Sequence, residues 1–124
     1  MAADVPFSAI DHVQLAMPGG EEERARQFYV DVLGLIESSK PKELAERGGV
    51  WFRSGEVAIH LGVDPNFRPS TKAHPAFRCA NYGVLLEQLA HHGVTIIRDQ
   101  NPFEGKEHCY ISDTFGNRIE LLSE

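Results

Sequence analysis

Cysteine is scarce in this chain: its 124 residues hold two, Cys79 and Cys109, far apart and in no C-x-x-C pair. They offer no disulfide framework and read as small buried hydrophobes of a reducing compartment. Positive charge is also short, with 12 Lys and Arg against 18 Asp and Glu and a formal charge of −6. An acidic chain is a poor counterion for nucleic acid or an anionic membrane surface, because nothing drives counterion release. No apolar run approaches the roughly 18 to 20 residues that cross a bilayer. The start, Met1-Ala2-Ala3-Asp4-Val5-Pro6, has no basic n-region and no apolar h-region. No secretory signal is read there, and the expected location is the cytoplasm. No Ser-His-Asp order, phosphate loop or paired-carboxylate signature stands out. Nucleic acid and membrane drop out as expected partners. The length suits one domain, residues 1–124, rather than two independent cores.

What remains is an ordinary globular balance, 42% hydrophobic and 24% charged, so a packed core is expected. Ile10 to Met17 reads as a strand that Pro18-Gly19-Gly20 ends. Glu21, Glu22 and Glu23 suit a helix N-terminus, and Ala25, Phe28, Tyr29 and Val32 then line one helical face before Gly34. Leu35 to Ser39 reads as a short strand and Pro41 to Arg47 as a helical turn or loop. Val50 to Arg53 and Glu56 to Leu61 flank Ser54-Gly55, a two-residue hairpin signal.

The second half repeats this order. His74 to Cys79 is a strand, Asn81 a helix cap, and Tyr82, Leu85, Leu86 and Leu89 a second apolar stripe before Gly93. Val94 to Ile97, Glu107 to Ser112 and Asn117 to Leu122 complete the strands. The expected fold class is α+β: two tandem βαβββ modules, about 8–62 and 73–123, forming a curled mixed sheet. Their linker, about Gly62 to Ala73, is long enough to cross between modules and serve as a rim; Phe67 and Arg68 are its loop residues.

Strand parity then assigns faces. Val13 and Leu15 take the helix-covered side of the first strand, which leaves His12 and Gln14 on the other. A turn at Ser54-Gly55 pairs Trp51 with Ala58 and puts His60 on the face of Trp51, with Phe52 and Ile59 packed. Phe77 and Cys79 pack, while His74, Ala76 and Arg78 point the other way. A three-residue loop at Thr114-Phe115-Gly116 sets Ile111 against Ile119 and Tyr110 against Glu120, whereas a four-residue loop breaks the apolar pattern. Lys106, His108 and Tyr110 thereby join Glu120 on the open face. If the sheet curls, His12, His60, His74 and Glu120 converge in a cup. Three imidazoles and a carboxylate suit a divalent Zn, Ni, Fe, Mn or Co ion. His91 and His92 are adjacent on a helix, point about 100° apart, and read as solvated. Arg53, at a hairpin tip, reads likewise.

These residues carry a resemblance. Ile10-Asp11-His12-Val13, Phe28-Tyr29 with Leu33-Gly34-Leu35, Ala73-His74-Pro75 and Asp113-Thr114-Phe115-Gly116-Asn117-Arg118-Ile119-Glu120-Leu121 are similar, in order and spacing, to the vicinal oxygen chelate superfamily. That superfamily includes glyoxalase I, fosfomycin-resistance proteins, extradiol dioxygenases and bleomycin-resistance proteins. The resemblance implies metal ligands at His12, His74 and Glu120, with His60 where a fourth commonly stands. Thr114 replaces the usual Pro of the final turn. His60 replaces the Glu of a bacterial-type glyoxalase I, and that carboxylate is usually drawn as the base.

The expected function is a metal-dependent, lyase- or isomerase-like enzyme acting on a small oxygen-rich substrate, with the metal stabilising developing oxyanion charge. Glu120 is expected as ligand and base, and Tyr110 as proton relay. Gln14, Trp51, Arg78 and His108 are expected substrate contacts, Arg78 because its planar fork can orient a carboxylate. An Fe(II) dioxygenase needs only His12, His74 and Glu120 as a facial triad, with His60 behind them. A drug-binding protein of the bleomycin-resistance type is the non-enzymatic alternative. A homodimer is expected from the resemblance.

Overall fold

The computed structural model describes residues 5–124. The first four residues, which hold most of the stretch read as lacking a secretory signal, lie outside the described residues. The first module contains β1 (Val13–Met17), α1 (Glu22–Arg26) continuing as a π-helical segment (Gln27–Val32), β2 (Ile36–Ser38), α2 (Lys42–Ala45), β3 (Val50–Ser54) and β4 (Val57–Val63). The second contains β5 (Ala76–Cys79), α3 (Tyr82–His91), β6 (Ile97–Phe103), β7 (Lys106–Ser112) and β8 (Arg118–Ser123). Each forms a four-stranded sheet, ordered β1-β4-β3-β2 and β5-β8-β7-β6. The first strand of each sheet runs parallel to the last, and the other pairs are antiparallel. The two βαβββ modules are therefore as expected, and the sheets do not close into a barrel.

The final hairpin pairs Ile111 with Ile119 and Tyr110 with Glu120. The first hairpin departs from expectation: Trp51 pairs with His60 rather than Ala58, and the turn residues are Gly55 and Glu56. Gly55 has φ of +58°, the left-handed first position of a type II′ turn, which places glycine one residue earlier in the loop than expected. The partner moves by two residues, so every side chain keeps its predicted face. The second strand of the second module also differs. Val94 to Ile96 packs as a connector against the core, its Val94 N–H closing the end of α3 on the Leu89 carbonyl, and β6 begins only at Ile97.

Helix α1 widens because Leu33 N–H donates to Phe28 O at 2.9 Å, one residue further back than α-helical spacing. The widened turn buries both Phe28 and Tyr29, and Tyr29 stacks on Phe52 at 5.2 Å. One apolar cluster spans both modules, with Met17, Leu61, Leu89 and Ile119 among its members. Each such fully buried side chain contributes about 1.5–3 kcal/mol. The Gln88 amide of α3 donates to the Val32 carbonyl, so the helices of the two modules meet.

A polar knot joins the modules at the last turn. Asp113 Oδ1 accepts from the Phe115 and Asn117 N–H groups, and Oδ2 accepts from Tyr29 Oη (2.7 Å) and Asn117 Nδ2 (3.0 Å). Asn117 also donates to the Ala16 carbonyl of β1 and accepts from the Ser70 N–H of the linker. The Asp-x-x-Gly-Asn run is thus an inter-module fastening. Burial and the Asp113 charge push the Tyr29 hydroxyl pKa well above its ordinary value.

Candidate metal centre

The histidines and Glu120 fall into two groups. On the first sheet, His60 lies between Trp51 (ring centroids 3.9 Å apart, planes 4° apart) and His12 (4.1 Å, 17°), a three-ring stack. Cross-strand pairing puts Trp51 beside His60, and β1 supplies the chain end that carries His12. His12 Nδ1 meets Asp11 Oδ2 at 2.9 Å, which leaves Nε2 free of that contact. Because the two imidazoles are nearly parallel, an ion in the plane of one lies well out of the plane of the other. The stack therefore does not present both rings to one ion. Gln14 pairs with His60 in register and lies across Gly62, whose missing Cβ leaves the room. The His60 pKa is lowered by burial first, then by His12 and Lys40, with Asp11 opposing.

On the second sheet, Glu120 sits between two histidines. His74 Nε2 is 3.0 Å from Oε1, and His108 Nδ1 is 2.8 Å from Oε2. His74 Nδ1 donates to the Lys72 carbonyl at 2.8 Å. The ring so anchored turns its Nε2 edge toward a carboxylate oxygen, where the two atoms can share a proton or face one cation. His108 Nε2 donates to the Asn101 carbonyl at 2.7 Å. That bond raises the His108 pKa; burial opposes it, and Glu120 and Asp99 add to the rise. Tyr110 stands edge-on to His74 at 5.5 Å, and the Arg118 guanidinium lies 4.1 Å above its ring. Arg118, two residues before Glu120 and on its face, was open to the same parity argument.

The structure thus brings together His12, His60, Trp51 and Gln14 in one group, and His74, Glu120, His108 and Tyr110 in another. Among the described residues, no three His, Cys, Asp or Glu side chains form a group able to hold a metal ion within the chain. Arg78 joins neither group: it is exposed and lines a groove of about 400 Å³ with Leu33, Val57 and Val84. His74 and Gln14 line a groove of about 380 Å³. A larger one, about 800 Å³, runs beside Arg24, Phe28, Tyr110 and Arg118 and includes none of the four expected ligands. His91 and His92 are exposed at the end of α3. As donors, His74 Nε2, Glu120 Oε1 and His12 Nε2 suit a borderline divalent ion.

Residues 9–121 match the sequence model of the Glyoxalase/Bleomycin resistance protein/Dioxygenase superfamily. Among solved structures, a protein from Bacillus anthracis assigned to the glyoxalase family is 43% identical, with a TM-score of 0.91 over 95% of this chain and 96% of that one. Lactoylglutathione lyase from Agrobacterium tumefaciens shares the fold at 21% identity, TM-score 0.68, with 96% of each chain covered. TnmS3, an antibiotic binding protein from Streptomyces sp. CB03234, shares it at 22% identity, TM-score 0.69, over 94% and 98%. No curated protein matches the sequence.

Proposed function

The chain belongs to the Glyoxalase/Bleomycin resistance protein/Dioxygenase superfamily, and from that membership we propose a metal-dependent, lyase- or isomerase-like enzyme of small oxygen-rich substrates. The observation that carries this reading is the His74–Glu120 pair, an imidazole anchored through Nδ1 with its other nitrogen 3.0 Å from a carboxylate oxygen. His74, Glu120 and His12 would hold the ion. A bound divalent ion supplies charge stabilisation for two neighbouring substrate oxygens. Glu120 would exchange a proton with the substrate, and Tyr110, its ring beneath the Arg118 guanidinium, would donate a hydrogen bond to it through the hydroxyl. Gln14 and Trp51 would form a wall of the cup, and Arg78 would orient an anionic substrate group only if a partner brings it near.

Since the two donor groups stand on different sheets of one chain, we propose a homodimer in which the first module of one copy faces the second module of the other. The stack favours a second reading. With His60 held between Trp51 and His12, three ligands remain, the facial triad of an Fe(II) dioxygenase.

Metal analysis of protein purified without a histidine tag tests the proposal. Close to one divalent ion per chain is expected, before or after titration. Less than about a tenth of an equivalent, with no uptake, favours a metal-free binding protein instead. Oxygen uptake with Fe(II) and catechols separates the dioxygenase from the isomerase.

A further inference from the structure

Strand β6 breaks its ladder opposite His108. Asp99 pairs with His108 and Phe103 with Lys106, so Gln100, Asn101 and Pro102 together face Glu107 alone. Pro102 has no N–H to give to a ladder, and the Asn101 N–H is taken by Asp99 Oδ1 at 3.0 Å. The bulge turns the Asn101 carbonyl onto His108 Nε2. His108 itself is 6% exposed and Glu120 8%, so the imidazole lies behind the carboxylate with both nitrogens engaged and no edge left for a substrate.

We propose that His108 is a positioning residue: anchored on the β6 bulge, it ties Glu120 Oε2 and presents Oε1 alone to the metal. The inference rests on the metal-centre reading above. A carboxylate free at both oxygens can chelate an ion and occupy two coordination positions. With Oε2 tied 2.8 Å from His108 Nδ1, Glu120 occupies one. The second position stays open for the paired oxygens of a substrate. Such outer partners commonly account for about 10- to 100-fold in metal affinity.

Two conservative variants separate positioning from packing. In His108→Asn the amide nitrogen falls near the place of Nδ1 and can still donate to Glu120. In His108→Gln it falls near Nε2 and keeps only the Asn101 anchor. Co(II) affinity and the Co(II) absorption spectrum are measured for both and for wild type. His108→Asn should bind within about fivefold of wild type with the same spectrum, and His108→Gln about 10- to 100-fold more weakly with a changed one. Equal affinities in the two variants, or tighter binding by His108→Gln, overturn the proposal. If wild type takes up no metal, it is the metal-centre reading that fails. The clamp is then read in metal-free crystals, where Glu120 should rotate in His108→Gln and hold its place in His108→Asn. An unmoved Glu120 in both overturns it.

Discussion

Asp113 shows how much one buried side chain can hold. It accepts four hydrogen bonds, and three of the donors belong to its own turn while the fourth, Tyr29, comes from the other module. Asp113→Ala should therefore cost about 3 kcal/mol or more, because it strands buried donors. Tyr29→Phe, which removes a single bond, should cost about 1–1.5 kcal/mol. Urea unfolding of the two variants checks the ratio, and similar losses would contradict the fastening role. His60 supports a second expectation. Its folded pKa lies below the ordinary value of 6.5, so its contribution to stability is present above that value and lost as pH falls through the folded one. The His108 shift is upward, and its contribution is kept at low pH and lost as pH rises, so it does not produce the same fall. Melting temperatures of metal-free protein from about pH 7.5 to about 5 should drop more steeply in wild type than in His60→Gln. Parallel curves would remove His60 from the account. Parity alone separated Gln14, His60, His108 and Glu120 from the packed side chains, since alternation along a strand has a fixed period. The partner of each nitrogen was not legible, because His108 meets Asn101 only through a bulge.

At the scale of elements, patterns that span a whole strand were legible and single-residue decisions were not. The final hairpin register followed from apolar matching of Ile111 with Ile119. The first hairpin turned one residue later because Gly55 supplies the left-handed position there. β6 lies later than the expected strand at Val94 to Ile97, because Pro102 and the polar run Arg98 to Asn101 lack a strand pattern, while Val94 to Ile96 looks more like one. The π-helical widening of α1 carried no sequence signal either. Gly49 shows a constraint that only packing reveals. With φ of +84° and the Leu61 carbonyl oxygen lying where a Cβ would stand, it leaves no room for one. Gly49→Ala should lose about 2 kcal/mol or more, with the midpoint of chemical denaturation as the measure. An unchanged midpoint would show that β3 can shift away from β4.

For the molecule as a whole, the separation of His12 and His60 from His74 and Glu120 is what the proposed homodimer would resolve. Light scattering should give about twice the chain mass of 13.8 kDa, and metal affinity should weaken on dilution below the dimer dissociation constant. A monomer that binds metal with undiminished affinity would place the whole centre in one chain. No helix among the described residues is long and apolar enough to cross a membrane, in line with the lack of long apolar runs. The acidic balance, the two repeated βαβββ modules and the side of each strand that carries the histidines were all determined by sequence, because composition, helical period and strand alternation are local properties. Only the tertiary structure decided that His60 stacks between Trp51 and His12, that Glu120 lies between His74 and His108, and that the two groups stand on separate sheets. Those outcomes depend on how strands twist, bulge and pack across long separations in the chain, and no local pattern records them.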